Sequence, residues 1–221
     1  MLDYFSQTKN LESVSNRIEE LPKVGGLSPA MVRTLVSRGF NNLLKFGLSE
    51  AQLDEVAGHV SHITLGVAQR VHEYCSKLAA LIANDRNRYS NSLLEKADRD
   101  WLLIGLRQCY AVVESHLNSK KTTIARRNQV IYCIGHLELH QFDSTDIRSR
   151  IEETFPESIA SNHMGIGSIL TELASGKNPL LTKNTNTSEY RIVDPRYLMC
   201  IRVSLLLDPQ TKTVHKGNFK L

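Results

Sequence analysis

Apolar residues recur every three to four positions along most of this chain, which is the spacing of amphipathic helices. The first such run extends from Asp3 to Leu21 and places Leu11, Val14 and Ile18 on the same face as Leu21. The same spacing returns in five later runs: residues 64–82, 93–117, 124–139, 147–155 and 157–175. The pattern therefore predicts a mainly α-helical fold.

Residues 25–75 contain two short helical units, each with a glycine-bearing turn. In the first unit, Gly25-Gly26 precedes an amphipathic run that closes at Gly39-Phe40. In the second unit, the turn is predicted at Gly58–His62. This is the layout of a helix-hairpin-helix pair, in which small residues free backbone N–H groups near a helix N-terminus. Such a position favours anions, including the phosphates of DNA.

Residues 22–78 resemble the small helical N-terminal lobe of the RecA-like recombinases of archaea and eukaryotes. In those proteins the first helical unit starts with a glycine and a hydrophobic residue, continues with regularly spaced apolar residues and ends in Gly-Phe. A second helix-hairpin-helix unit then follows. The matching residues are Gly26, Leu27, Val32, Leu35, Gly39, Phe40, Leu53, Val56 and Gly58. The chain departs from these proteins in lacking the Gly-x-x-x-x-Gly-Lys-Ser/Thr loop of their ATPase core, and its second turn lacks a second glycine.

The C-terminal half has the order of a winged helix. Three predicted helices precede two predicted strands, residues 177–182 and 189–193, which a polar tip joins as a hairpin. Residues 124–206 resemble the winged helix that closes many STAND and archaeal-type ATPases, where the wing ends in a tyrosine and an Asp-Pro pair. Here Tyr190 and Asp194-Pro195 match that ending. The predicted fold is mainly α, with a helix-hairpin-helix lobe, long connecting helices and a C-terminal winged helix with a small β-wing.

A length of 221 residues suits two domains. The polar, basic run at residues 118–123 is the predicted linker. The predicted division is an N-terminal helix and helix-hairpin-helix lobe (1–82), connecting helices and linker (83–121), a winged-helix domain (122–207) and a flexible basic tail (208–221).

Sixteen residues are candidates for DNA contact, because they lie in the turns, beside them, in the linker, or on the winged helix. They are Lys23, Gly25, Gly26, Ser28, Arg33, Lys45, His59, Ser61, His62, Lys120, Lys121, Arg126, Arg127, Asn162, His163 and Lys183. The predicted recognition helix carries Asn162 and His163 but no Arg or Lys between Arg150 and Lys177. Without those cations, this helix is poorly suited to recognising a base sequence. Non-specific contact with the DNA backbone, or docking of a protein, fits its composition better.

The run from Tyr197 to Leu207 is almost wholly apolar. It contains more apolar residues than a helix with one buried face on a small domain can cover. Either this helix inserts between the two domains or it meets another protein. The residues predicted to bind a partner are Tyr197, Leu198, Ile201, Leu205 and Leu206.

Composition narrows the function. A net charge of +4 and a pI near 8.9 allow a nucleic-acid partner without demanding one. The four cysteines lie in apolar surroundings without a Cys-x-x-Cys pair, as expected of buried, reduced thiols. No catalytic motif is present, and the helical pair His136 and His140 has no specified third metal ligand. We expect no enzymatic activity, no cofactor, no bound metal and no membrane span, with a cytoplasmic or nucleoid location.

The function predicted from these features is that of a non-catalytic, DNA-binding accessory or adaptor subunit of a DNA-handling complex, with an ATPase or nuclease as partner. One alternative is a pure protein-interaction subunit that bridges two partners as kleisins do, without DNA contact. A second alternative is a winged-helix transcriptional regulator.

Overall fold

Nine helices and two small β-hairpins make up the part of the chain that the computed structural model describes, residues 25–118, 126–139, 141–156 and 165–217. The helices are α1 (Pro29–Ser37), α2 (Glu50–Thr64), α3 (Ala68–Asn84), α4 (Asn91–Asp100), α5 (Arg107–His116), α6 (Arg126–His136), α7 (Ser144–Thr154), α8 (Ile166–Leu173) and α9 (Pro195–Ser204). Two π-helical turns, Arg38–Leu43 and Trp101–Gly105, follow α1 and α4. The mainly helical prediction is confirmed, whereas the helix predicted over residues 3–21 lies outside the described residues.

Local sequence signals set several helix starts. Ser49 and Gln52 form a reciprocal capping box at α2, and Asp143 and Asp146 form another at α7. Asp194 caps α9, whose first residue is a proline. These helices therefore begin where side-chain oxygens satisfy backbone donors that no helical carbonyl reaches.

The second turn of the N-terminal region is not where the sequence pattern placed it. Residues 58–62 lie inside α2, because the apolar spacing that includes Val60 continues through them to Ile63. The chain turns instead at Leu65 and Gly66, whose φ angles of +56° and +67° are left-handed and end the helix. The prediction of a turn at Gly58–His62 is therefore wrong.

The predicted β-hairpin is present, although its strands are short. Strand β1 (Leu181–Lys183) pairs antiparallel with β2 (Tyr190–Ile192). Phe142 adds an isolated bridge to Tyr190, which ties the hairpin to the start of α7. A second hairpin was not predicted: β3 (Leu205–Leu207) pairs with β4 (Val214–Lys216), within what the sequence suggested was a helix end and a flexible tail.

Helix α9 lies at the centre of the molecule. It packs against α2 from the N-terminal region, against α5 from the connecting helices and against α6 from the C-terminal region. Its approach to α6 is close: a Cβ at Gly135 would lie 2.4 Å from Ile201 Cγ2. The buried apolar residues on both sides of α9 form one connected core, so the insertion alternative describes this helix. The predicted domain boundaries stay a prediction.

All four cysteines are buried and unpaired, as predicted. Within the described ranges, every helix is too short or too polar to cross a membrane.

Candidate functional site at two adjacent helix N-termini

The turns that precede α1 and α3 are pressed together. The Leu27 N–H donates to the Gly66 carbonyl oxygen over 2.7 Å. Gly66 is buried beneath this contact, and a Cβ there would lie 2.3 Å from the Leu27 carbonyl oxygen. A Cβ at Gly26 would lie 3.1 Å from the Leu65 carbonyl oxygen. Glycine is thus needed at Gly66 for both its left-handed backbone and its close approach, and the clasp sets the two helix N-termini side by side.

The N-terminus of α3 is open, unlike that of α1. Ser28 accepts a hydrogen bond from Met31 N at the start of α1. At α3 the N-cap residue is Val67, which offers no side-chain acceptor. The first residue whose N–H bonds within α3 is Val71, to the Val67 carbonyl oxygen at 2.9 Å. The N–H groups of the preceding three residues therefore lack helical acceptors.

Electrostatics at the start of α3 favour an anion only modestly. Every residue in the first turn of α3 is described, and none of them is acidic. One turn further on, Glu73 binds the Arg70 guanidinium at 2.7 Å and the Gln69 amide at 2.9 Å. The positive end of the helix dipole is therefore the main attraction for an anion here, because the nearest cation is already paired.

Arg33, predicted to contact DNA, is neutralised by its own chain. Its Nε lies 2.5 Å from Asp54 and its Nη2 lies 2.5 Å from Glu50, so the guanidinium bridges α1 to α2. The pKa of Arg33 is raised by these hydrogen bonds, that to Asp54 first. Lys45, by contrast, is exposed and makes no ion pair with any described residue. Gly25 is also exposed, and Lys23 lies outside the described residues.

His59 belongs to a structural network rather than to a turn. It lies on α2, and its Nε2 is 2.7 Å from Asp98 Oδ1 on α4. The Tyr74 hydroxyl on α3 donates to the same oxygen over 2.7 Å. Burial first, and the Asp98 charge second, raise the pKa of Tyr74 far above its ordinary value. These three side chains join three helices, which leaves His59 poorly placed for a phosphate.

His62 and Ser61 also lie on α2, in its last turn. The His62 ring faces that of His136, the last residue of α6, with centroids 5.1 Å apart, and His136 stacks on Tyr132 at 4.0 Å. Partial burial, followed by the charge of Arg202, lowers the pKa of His62 to about 4. Burial also lowers the pKa of His136. Both imidazoles are therefore neutral near pH 7 and do not attract phosphate.

Arg202 of α9 joins two helix ends from distant parts of the chain. Its Nε donates to the Gly135 carbonyl oxygen at 2.6 Å, and its Nη1 donates to the His62 carbonyl oxygen at 2.7 Å. Both acceptors lie in the last turn of a helix, where carbonyls lack helical donors and cations are favoured. We call the contact of Arg202, His62 and His136 the α9 seam.

The remaining predicted DNA-binding residues do not converge on the clasped turns. Arg126 contacts Gln129 at 3.0 Å, Arg127 pairs with Glu172, and the Lys183 amino group lies 5.7 Å from the centre of the Tyr190 ring. The predicted positions that fall outside the described residues are Lys120, Lys121, Asn162 and His163.

The predicted partner-binding residues are largely internal. Ile201 and Leu205 are fully buried within the chain, so they are unavailable to a partner while α9 stays in place. Tyr197 and Leu198 are half-buried. Leu206, on β3, remains 54 % exposed and is the one member of this set with a free apolar surface. The prediction that Ile201 and Leu205 bind a partner is therefore corrected, because the packing of α9 covers both side chains within the same chain.

Sequence reasoning missed the turn at Leu65–Val67 and an apolar groove beside α1. The signal for the turn was available, since a glycine there separates two apolar helical runs. The groove had a weaker signal, namely apolar residues such as Met31 and Leu43 outside the inward stripe.

Comparison of the chain with protein-family models, curated proteins and solved structures found no match. Among the described residues, no group of three or more His, Cys, Asp or Glu side chains is arranged to hold a metal ion.

Proposed function

We propose that this protein is a non-catalytic accessory subunit that contacts the DNA backbone and links it to a larger ATPase or nuclease subunit. The observation that carries the proposal is the open N-terminus of α3 clasped against the Gly25-Gly26 turn. On this interpretation the turns ahead of α1 and α3 are the two hairpins of a helix-hairpin-helix lobe, with the second hairpin at Leu65–Val67.

The proposed contact is weak and independent of base sequence. Backbone N–H groups at a helix N-terminus bind phosphate oxygens but carry no base information. Few cations surround the site, since Arg33 and Arg70 are paired with acids of the same chain. The logarithm of the binding constant should therefore fall with the logarithm of the salt concentration with a slope of only about two to three.

The C-terminal region has a separate role in the proposal. Helices α6, α7 and α8, the β1–β2 hairpin and α9 follow one another in the order of a winged helix. We interpret this region as a docking module, because Arg127 is paired with Glu172 and Lys183 lies over an aromatic ring. Leu206, which follows α9 on β3, is an exposed apolar residue through which such docking would start.

A charge placed at the open helix end tests the DNA contact. Ala68 is exposed at the first position of α3, so Ala68→Glu puts a carboxylate where the phosphate is proposed to bind. The matched control is Ala51→Glu, in the first turn of α2, whose end Ser49 already caps. Binding of a labelled duplex of arbitrary sequence is followed by fluorescence anisotropy at several salt concentrations.

We expect Ala68→Glu to weaken binding roughly two- to fivefold at low salt, and Ala51→Glu to leave it unchanged. Both variants should keep the thermal midpoint of the wild type, because an acid in the first turn suits the helix dipole. Equal binding by wild type and Ala68→Glu would move the contact to another surface. No binding by the wild type at the lowest salt would overturn the DNA proposal.

A second candidate is an interaction subunit that bridges two proteins without contacting DNA. It is favoured by a specific observation: Arg33, Arg127 and His59 each face an acid of their own chain. The same titration separates the candidates, since this one requires that wild-type protein fail to bind DNA at any salt concentration.

A further inference from the structure

An apolar groove runs between α1, its π-helical continuation and α3. Its volume is about 730 Å³, and its walls are formed mainly by Leu27, Met31, Leu35, Phe40, Leu44 and Cys75. At its rim, Leu43 is 79 % exposed, Met31 is 54 % exposed and Leu44 is 48 % exposed. Single exposed apolar residues are ordinary on a protein surface, but a cluster of them around a groove is typical of a binding surface.

The groove has the shape that an α-helix fills. One wall is the helical stretch that runs from α1 into its π-helical continuation, and the facing wall is α3. Met31 and Leu43 both line the groove and are twelve residues apart in sequence, which is roughly 15–18 Å along a helix axis. Over that length a docked helix presents apolar anchors from about three turns, at positions i, i+3 or i+4, and i+7.

Both walls of the groove are positively charged. Residues 29–45 contain three cations and no acid, and residues 68–84 contain two cations and one acid. Their net charge of 5 − 1 = +4 equals that of all 221 residues, so the positive excess of the chain is concentrated in these two segments. None of the described residues that line the groove is a carboxylate.

Three of these five cations remain available to a partner. Arg38 lines the groove and is exposed, and Lys45, also exposed, directly follows the rim residue Leu44. Lys77 follows Ser76, another lining residue. None of the three forms an ion pair with a described residue, whereas the other two cations are paired with acids of the same chain. An apolar surface flanked by Asp or Glu would therefore be attracted to this groove.

The same charges disfavour a second copy of this chain as the occupant. A two-fold contact places the same patch of both copies face to face. It would bring Arg38 and Lys45 of one copy close to the same cations of the other, and like charges across an interface are unfavourable.

We propose that this groove is the docking site for an amphipathic helix of another protein, with acidic residues on both sides of its apolar stripe. The stripe covers Met31, Leu43 and Leu44, and the acidic flanks meet Arg38 and Lys45. The proposal depends neither on the DNA contact at the clasped turns nor on docking through Leu206, so its test is separate from that of the proposed function.

A phage library of helical peptides, selected on the full chain, tests the proposal without a known partner. Each peptide has about 16 residues, enough for four helical turns. Leu, Ile, Met or Phe occupy the positions of one helical face, and Glu, Gln or Lys are allowed at the flanking positions. The enriched peptide is then synthesised with a fluorescent label, and its affinity for the full chain is measured by anisotropy.

Three variants of the full chain locate the binding site. Leu43→Asp puts a charge on the apolar rim, and Arg38→Glu reverses a charge beside it. The matched control is Ile104→Asp, because Ile104 is 71 % exposed and does not line the groove. A thermal midpoint close to that of the wild type shows that a variant is folded, and light scattering after gel filtration gives the mass of each sample.

We expect the enriched peptides to carry Glu at the flanking positions. Leu43→Asp should weaken binding roughly tenfold or more and Arg38→Glu about three- to tenfold, whereas Ile104→Asp should leave it unchanged. The proposal is overturned if no peptide is enriched, if Lys is selected as often as Glu, or if Leu43→Asp binds as tightly as the wild type. It is also overturned if the wild type is a dimer that Leu43→Asp converts to a monomer, since a second copy would then occupy the groove.

Discussion

The groove beside α1 and the buried helix α9 treat apolar residues in opposite ways. In the groove, Met31 and Leu43 stay largely exposed within the described chain, although their helical unit has an ordinary amphipathic pattern. In α9, Ile201 is fully buried, although it belongs to the run that includes the predicted partner-binding residues. The dense apolar run of α9 thus corresponds to a buried helix. The apolar residues that stay accessible are the scattered ones near α1 that do not face its core side.

The reason lies in what surrounds each helix. Helix α9 is covered by α2, α5 and α6, so apolar residues on more than one face are what its position requires. Helix α1 has α2 on one side, and its other side forms a wall of the groove. Apolar residues on that side remain without a partner in the described part of the chain.

The largest expected effect sharpens this contrast within a single run of sequence. Ile201→Ala removes buried side-chain atoms where α9 packs against Gly135 of α6, and we expect it to lower the free energy of unfolding by about 2–5 kcal/mol. Leu206→Ala, five residues away on the exposed side of β3, should change it by less than about 0.5 kcal/mol. Urea denaturation followed by circular dichroism measures both. Equal losses would mean that the burial of α9 is not what stabilises the protein.

A smaller effect is expected where α9 joins the two helix ends. Arg202→Met keeps most of the side-chain volume but removes both donors to the carbonyls of His62 and Gly135. We expect a loss of about 1.5–3 kcal/mol, the range for hydrogen bonds that involve a charged group. Arg107→Met, on an exposed position of α5, is the control and should cost less than about 0.5 kcal/mol. Urea denaturation measures both variants. If Arg202→Met has the same free energy of unfolding as the wild type, the α9 seam does not contribute to stability.

The smallest effect is a pH dependence confined to the seam. Because the pKa of His62 is about 4 in the folded protein and near 6.5 in the unfolded chain, the unfolded state binds more protons between these values. The contribution of His62 to stability is therefore complete above pH 6.5 and is lost as the pH is lowered toward 4. His62→Gln should flatten this fall, and Arg202→Met should flatten it partly, because the Arg202 charge contributes to the shift. The unfolding midpoints of each variant are measured at pH 5 and pH 7.5. If the difference between the two midpoints is the same in His62→Gln as in the wild type, His62 is not the source of the pH dependence.

Much of the candidate site was beyond sequence reasoning, and particular residues show why. Gly25-Gly26 was found because paired glycines ahead of an amphipathic run are a local signal. The turn at Leu65–Val67 was missed because Gly58 offered a competing glycine, although the apolar spacing of the helix continues past Gly58 to Ile63. Arg33 was counted as a DNA-binding cation, since its partners Glu50 and Asp54 lie 17 and 21 residues away.

By itself, the sequence determined the helical character of the chain, the capped starts of α2 and α7, the β1–β2 hairpin and the burial of the cysteines. These follow from contacts between residues a few positions apart, or from apolar character alone, and local patterns record both. Tertiary structure alone decided which helices cover α9, that the turns ahead of α1 and α3 touch, and that Arg202 reaches a carbonyl 140 residues away. Such contacts depend on how whole helices pack, and the spacing of residues along one helix carries no information about which neighbour will cover it.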